Sequence, residues 1–263
     1  MICSLTNPSL WLVAGSVAVG VFFFMSLWYG ISQYFKRLDI VDSAWGLGFI
    51  YVAVLGILLQ PYLELIHYLT LGFVATWGLR LTIHITSRNI GKPEDGRYVA
   101  LREKWGSRAA VKSFFNIFML QGLLIVLISA PVIAIMSTSP ARINALAIVG
   151  FVVWGFGIIF ESVGDYQLRK FIKTKKKGEV IQSGLWKYSR HPNYFGEITA
   201  WWGAGIVAAS LGAWWSLLGS ALITFFIVKI SGVPLLEKKY ATNKQFQAYK
   251  KRTSILIPLP PKK

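Results

Sequence analysis

The chain has 263 residues, 54% of them hydrophobic and only 15% charged, with 28 Lys and Arg against 11 Asp and Glu for a net charge of +17. A charged fraction well under the roughly 25% usual in soluble domains, combined with long apolar runs, excludes an ordinary soluble protein and indicates the membrane class. A single cysteine, Cys3, excludes an intrachain disulfide and a cysteine metal cluster, and the three histidines (His67, His84, His191) show no HExxH-like pairing, so no protein-bound metal is expected.

The first apolar run has no basic region before it and no convincing small-residue cleavage site, so it is expected to be a retained helix rather than a signal peptide. A span needs about 20 apolar residues. Seven candidates follow along the chain, at roughly 9–31, 40–59, 62–87, 113–136, 143–167, 194–211 and 213–231. Pro61, in QPYLEL, separates the second from the third because proline cannot continue a helix. STSPARIN separates the fourth from the fifth, and the last two form a hairpin around SLGAWW.

Charge tests this count. Lys and Arg crowd into the segments after spans one, three, five and seven, while the opposite loops hold almost nothing basic except Arg142. The positive-inside rule then puts the basic segments in the cytosol, the N-terminus outside and the C-terminus inside. The expected fold is an all-α integral membrane protein of seven transmembrane helices, a single domain over 1–263. Topology and anionic headgroups account for the charge, so membrane lipids are expected partners and nucleic acid is not. The dipeptide Trp-Gly recurs at 45–46, 77–78, 105–106, 154–155 and 202–203, as expected of small residues at helix contacts beside interfacial tryptophan.

Ionisable groups inside spans are expensive, on the order of 3 kcal/mol each on insertion scales, so each needs a partner or a role. Asp39 and Asp42 open span two. Arg80, His84 and Arg88 end span three, and Glu161, Asp165 and Arg169 end span five, in both cases at four-residue spacing on one helical face. Asn193 and Glu197 open span six, one turn apart. In this topology all of them lie at the cytosolic end of their helices. Snorkelling suits the arginines, but Asp and Glu are too short to reach far, which favours function for Asp42, Asp165 and Glu197.

SRHPNY (189–194) reads as a helix start, since Pro192 is suited to a first turn whose N–H would be unpaired anyway. The free N–H groups and positive dipole end, flanked by Arg190 and His191, would suit a phosphate. Asn193 and Glu197 offer polar contacts one turn deeper. GKPEDGRYVALREKWG (91–106) adds Glu94, Asp95, Arg97 and Tyr98, dense in hydrogen-bonding groups. No G-x-G-x-x-G follows an expected strand, so a soluble Rossmann site is excluded.

GLWKYSRHPNYFGEITAWWG resembles the C-terminal signature of the membrane steroid 5α-reductase group, including its less characterised bacterial and plant relatives. ESVGDYQLRKF upstream and the tail LLEKKYATNKQFQAYKKRTSILIP are similar too, while DIVDSAWGLGF and RNIGKPEDGRY look most like the uncharacterised relatives. The resemblance implies an NADPH-dependent reductase of a carbon–carbon double bond in a lipophilic (steroid-, isoprenoid- or fatty-lipid-like) substrate, with the cofactor half at about 143–263. It implies nicotinamide contacts from Asn193 and Glu197, and ribose and phosphate contacts from Asp165 and Arg169. It further implies that Arg97, Arg190 and His191 hold phosphates, with Tyr98 and Tyr188 among the cofactor contacts. Asp42 falls about where those enzymes carry the carboxylate that binds the substrate carbonyl, which makes it the implied catalytic acid; their partner tyrosine aligns roughly with Trp77. A multi-pass location follows, in the inner membrane if bacterial or the endoplasmic reticulum if eukaryotic. RHPNY is shared with isoprenylcysteine carboxyl methyltransferases, so the alternative is an S-adenosylmethionine-dependent methyltransferase of a lipid or prenyl carboxylate.

Overall fold

A computed structural model describes residues 9–262, so the expectations for Cys3 and for the side taken by the N-terminus lie outside the described residues. The chain forms two compact units, Met1–Ile143 with Leu211–Ser216, and Asn144–Ser210 with Leu217–Lys263. Among the described residues both units are built from helices and turns, with one isolated bridge between Ser189 and Ser254.

In the first unit, α1 (Leu10–Tyr34) starts where the Ser9 hydroxyl accepts a hydrogen bond from Leu12 N at 3.2 Å, and it buries Val13, Val17, Val21 and Met25 at four-residue spacing. Helix α2 (Ile40–Leu59) stops just short of Pro61, as the sequence requires. Helix α3 (Leu65–Asn89) crosses α2 so closely that a Cβ on Gly46 would lie 2.3 Å from the Gly78 carbonyl oxygen. Two of the Trp-Gly glycines thus sit where backbones meet. The start of α3 is tied down by His67, which is fully buried: Nδ1 accepts from Glu64 N at 3.0 Å and Nε2 lies 3.0 Å from Thr138 O. Glu64 in turn accepts from Ala141 N.

The next stretch departs from expectation. A helical stretch covers Gly96–Ile128 with a turn in the chain at Gly106, built of α4 (Gly96–Trp105), a tight turn at Gly106–Arg108, α5 (Ala109–Ser113), a widened turn at Phe114–Met119 and α6 (Leu120–Ile128). The expected span 113–136 instead breaks at Ser129, and α7 (Ala130–Met136) carries Pro131 in its first turn. Proline has no N–H to give Leu127, and its ring would clash with that carbonyl.

The second unit is dominated by α8 (Ala145–Thr174) against α9 (Pro192–Ser210). Gly150, Gly157 and Gly164 are seven residues apart; Gly150 faces Gly203 and Val207, Gly157 faces Gly196 and Ala200, and Gly164 faces Asn193. A Cβ on Gly157 would lie 2.3 Å from Ala200 N, one on Gly196 2.4 Å from Glu161 N, and one on Gly203 2.4 Å from Trp154 N. The seven-residue repeat keeps one seam in contact over several turns, and small residues let the backbones touch. Helix α10 (Leu217–Phe225) joins α9 through Ser220 Oγ donating to Trp201 O at 2.7 Å. The short helices α11 (Val233–Lys239) and α12 (Lys244–Arg252) follow.

Five helices are long and apolar enough to cross a membrane: Leu10–Tyr34, Ile40–Leu59, Gly96–Ile128, Ala145–Thr174 and Trp214–Lys239. The expected third and sixth spans are also helical, as α3 and α9, but fall outside that set; α3 carries Arg80, His84 and Arg88, and α9 carries Asn193 and Glu197 among many small residues. This is a multi-pass membrane protein by helix length and composition. If the glycine seam holds the second unit together, Gly157→Val should destabilise the protein by about 3 kcal/mol, seen as a lower melting temperature in detergent. Gly15→Ala, where nothing lies within 4 Å of the added carbon, should leave that temperature unchanged or raised.

Candidate functional site

The glycine seam brings the acidic end of α8 beside the start of α9. Glu161 and Asp165 are both buried there, one turn apart. Asn193 Nδ2 donates to Asp165 Oδ1 at 3.2 Å. Its Oδ1 is buried and has no hydrogen-bond partner among the described residues. Glu197 stands one turn along α9, half-buried, while Arg169 is exposed beyond Asp165 on α8. Structure and sequence therefore agree that Glu161, Asp165, Arg169, Asn193 and Glu197 share one end of the α8–α9 pair, because the seam fixes the two helices in register.

Arg190 and His191 differ from the expectation of a phosphate seat. The Arg190 side chain is only 7% exposed, and its guanidinium is committed within the protein. Nε donates to Glu237 Oε1 at 2.9 Å, Nη2 lies 2.7 Å from the same oxygen, and Nη1 donates to Thr253 O at 2.6 Å and Lys250 O at 3.1 Å. Glu237 Oε2 takes Lys250 Nζ at 2.7 Å. Arg190 N donates to Ser254 O, Ser189 Oγ to Leu256 O, and Leu259 N to Tyr188 O. Residues 188–190 are thus strapped to the tail by a buried ion pair and a ladder of backbone contacts, and the Tyr249 hydroxyl adds Trp186 O and Ser189 O. Tyr188 itself is 41% exposed, with Lys187 over its ring.

His191 is buried and stacked on Tyr194, with centroids 5.6 Å apart. Its Nε2 lies 3.6 Å from Glu237 Oε1. Burial pushes its pKa down, to about 4, against the opposing pull of the Glu237 carboxylate. The ring is neutral at pH 7 and supplies no positive charge to an anion.

In the first unit, the 91–106 segment is pinned to the turn before α2. Glu94 Oε1 accepts from Leu38 N at 2.6 Å and from Arg102 Nη2 at 2.9 Å. Asp39 is held by Arg37 at 3.0 and 2.8 Å and accepts from Asp95 N at 3.2 Å. Asp95 caps α4 through Arg97 N at 2.9 Å and pairs with the Arg97 guanidinium, which holds its carboxyl below the usual carboxylate range. This cap places Tyr98 in the first turn of α4, where its hydroxyl donates to Asp42 Oδ1 at 2.6 Å; Arg97 Nη2 lies 3.4 Å from Asp42 Oδ2. Trp77 is buried edge-on against Phe49, so the tyrosine beside Asp42 comes from α4. The sequence singles out both residues but does not pair them, although the EDGRY cap fixes Tyr98 three residues past Asp95.

Residues 28–253 match the protein family described as "Protein of unknown function (DUF1295)". The chain belongs to that family. It is also 31% identical over 112 residues to 3-oxo-5-alpha-steroid 4-dehydrogenase 1 of Macaca fascicularis, covering 42% of this chain and 40% of the relative. The Homo sapiens protein of the same name is 30% identical over 112 residues, again 42% and 40%. The matched segment therefore spans well under half the length of these relatives. No solved structure matches. Family and relatives together support a steroid 5α-reductase-like superfamily for this DUF1295 chain.

A histidine whose folded pKa lies below its unfolded value of 6.5 adds stability that is complete above about pH 6.5 and lost as pH falls towards 4. His191→Gln should flatten that part of the stability–pH curve, measured by thermal unfolding between pH 7 and 4. Glu237→Gln leaves the buried Arg190 without its carboxylate and should cost about 3 kcal/mol, read as a lower melting temperature at pH 7.

Proposed function

We propose that the chain is an NADPH-dependent reductase of a carbon–carbon double bond conjugated to a carbonyl in a lipophilic, steroid-like or isoprenoid-like substrate. The observation that carries it is the 2.6 Å hydrogen bond between Tyr98 and Asp42. Two oxygens that close, at the end of an apolar helix, form a donor for a carbonyl. With Asp42 ionised the pair has one O–H, and the carboxylate takes it. With Asp42 protonated there are two O–H groups and one mutual hydrogen bond, so one proton is left to donate. The pair would then hold that proton at the substrate oxygen as negative charge builds there. The likeness to relatives named 3-oxo-5-alpha-steroid 4-dehydrogenase supports the class of reaction.

NADPH, when bound, supplies the hydride that the proton balances. The fit rests on Asn193: an amide oxygen fixed by its own Nδ2–Asp165 bond, buried and without a partner among the described residues, suits an incoming carboxamide N–H. Glu197 is assigned to the same group, one turn along α9, and Asp165 and Arg169 to ribose and phosphates. Arg97 is assigned to phosphate through Nη1, the nitrogen that its bonds to Asp95 and Asp42 leave over, and Tyr188 offers the cofactor an exposed ring. Arg190 acts as a positioning residue through its strap to Glu237, and His191 through its stacking on Tyr194. The proposal takes α3 and α9 as spans alongside the five apolar ones, since α3 packs along α2 and α9 along α8, with the basic segments in the cytosol.

NADPH at about 100 times its Kd should stabilise detergent-purified protein by about 2.7 kcal/mol, giving a saturable rise in melting temperature. Asn193→Ala and Glu197→Ala should lose that rise; stabilisation by S-adenosylmethionine in place of NADPH would overturn the reading. Tyr98→Phe should keep the NADPH response while slowing enone reduction roughly a hundredfold, followed as NADPH absorbance with a panel of enone lipids.

A further inference from the structure

Helix α1 ends in a turn that normally calls for glycine. Lys36 N donates to Gln33 O at 3.2 Å and Arg37 N to Ser32 O at 3.0 Å, the paired bonds of a Schellman motif. The residue between them must take a left-handed backbone, and Lys36 does so at φ 54°. Among the described residues it is the non-glycine residue with positive φ. An L side chain resists this conformation and glycine does not. A lysine kept there at an energetic cost points to a use for its ammonium group.

That side chain lines a cavity of about 230 Å³ shared with Ser32, Gln33, Arg102, Ala109 and Ser113. Lys36 has no ion pair or hydrogen bond from its side chain among the described residues. Arg102 uses one nitrogen, Nη2, on Lys36 O at 3.2 Å and Glu94 Oε1 at 2.9 Å, which leaves Nε and Nη1 as further donors. Glu94, the acid paired with Arg102, also accepts from Leu38 N, and it does not line the cavity. The cavity wall therefore carries two cations and the Gln33 amide. The segments that supply this lining also carry exposed apolar side chains: Tyr34 and Phe35, next in sequence to Lys36, and Val111 and Phe115, on either side of Ser113, are all at least 60% exposed.

We propose that this cavity binds the phosphate of an anionic glycerophospholipid, with Lys36 and Arg102 on the phosphate oxygens and the acyl chains along the exposed apolar side chains of α1 and α5. A cationic recess at the end of an apolar helix has the chemistry of a headgroup seat. The tested property is binding, and it is independent of any catalytic role assigned to Asp42 or Tyr98.

The experiment is a thermal-unfolding titration of the full chain in a neutral detergent with dioctanoyl-phosphatidylglycerol, dioctanoylglycerol or inorganic phosphate. The decisive variant is Lys36→Gly, because glycine suits φ 54° and should melt no lower than the wild type without ligand. Lys104→Gln removes the same charge from an exposed position on α4 outside the cavity. The expected result is a saturable stabilisation by phosphatidylglycerol and not by dioctanoylglycerol, kept in Lys104→Gln. In Lys36→Gly its apparent affinity should fall about tenfold, the loss of one charge-assisted contact. An equal shift from inorganic phosphate, lost in Lys36→Gly, would keep the anion site and overturn its assignment to lipid. A shift unchanged in Lys36→Gly, or matched by dioctanoylglycerol, would overturn the proposal entirely.

Discussion

Close contact between α8 and α9 is the constraint on which the second unit depends. In hydrocarbon there is little hydrophobic gain from bringing two helices together, so packing and backbone proximity must do it. Gly150 and Gly157, against Gly203 and Gly196, allow approaches that a single methyl would block, and Gly164 lies close against Asn193. Because the seam is continuous over several turns, it fixes axial register as well as distance. Register in turn sets Asn193 level with Asp165, one hydrogen bond apart. A slide of one helical turn would separate them by about 5.4 Å and bury a carboxyl against apolar side chains.

A different device organises the first unit. There, one short polar segment (91–106) carries its charges to the start of α2, and almost every acid is already matched: Asp39 by Arg37, Glu94 by Arg102 and Asp95 by Arg97. Asp42 is the exception in kind, since its closest partner is a phenol rather than a cation. Its other oxygen lies 3.4 Å from Arg97 Nη2, so the phenol and the guanidinium of adjacent residues meet the two oxygens of one carboxyl. The same economy is seen in the strap of the second unit, where Arg190 is bound so fully that its contribution is to hold residues 188–190 in place.

Several elements are legible in the amino-acid order alone. The α2 boundary follows from Pro61, and the start of α9 follows from Pro192. The Trp-Gly repeat points to helix contacts, and Gly46, Gly78 and Gly203 make them, while Gly106 instead turns the chain at φ 52°. Sequence spacing also puts Glu161, Asp165 and Arg169 on one face of a single helix. The fourth span differs from its expected bounds because hydropathy registers Pro131 only weakly, whereas the hydrogen-bond ladder of a helix breaks there. The charges of Arg190 and His191 look available in the sequence because exposure is not written in a motif.

What the sequence determined by itself is the class of the protein and the place of its polar residues along their own helices: apolar length demands helices that satisfy their own backbones, and a carboxyl at a helix end stays at that end. What only the tertiary structure decided is partnership. Glu237 meeting Arg190, Tyr98 meeting Asp42 and Lys36 meeting Arg102 each join segments that spacing along one helix cannot relate. Hydropathy and periodicity constrain a residue relative to its own helix, but whether a charge is free or neutralised depends on which other helix is packed against it.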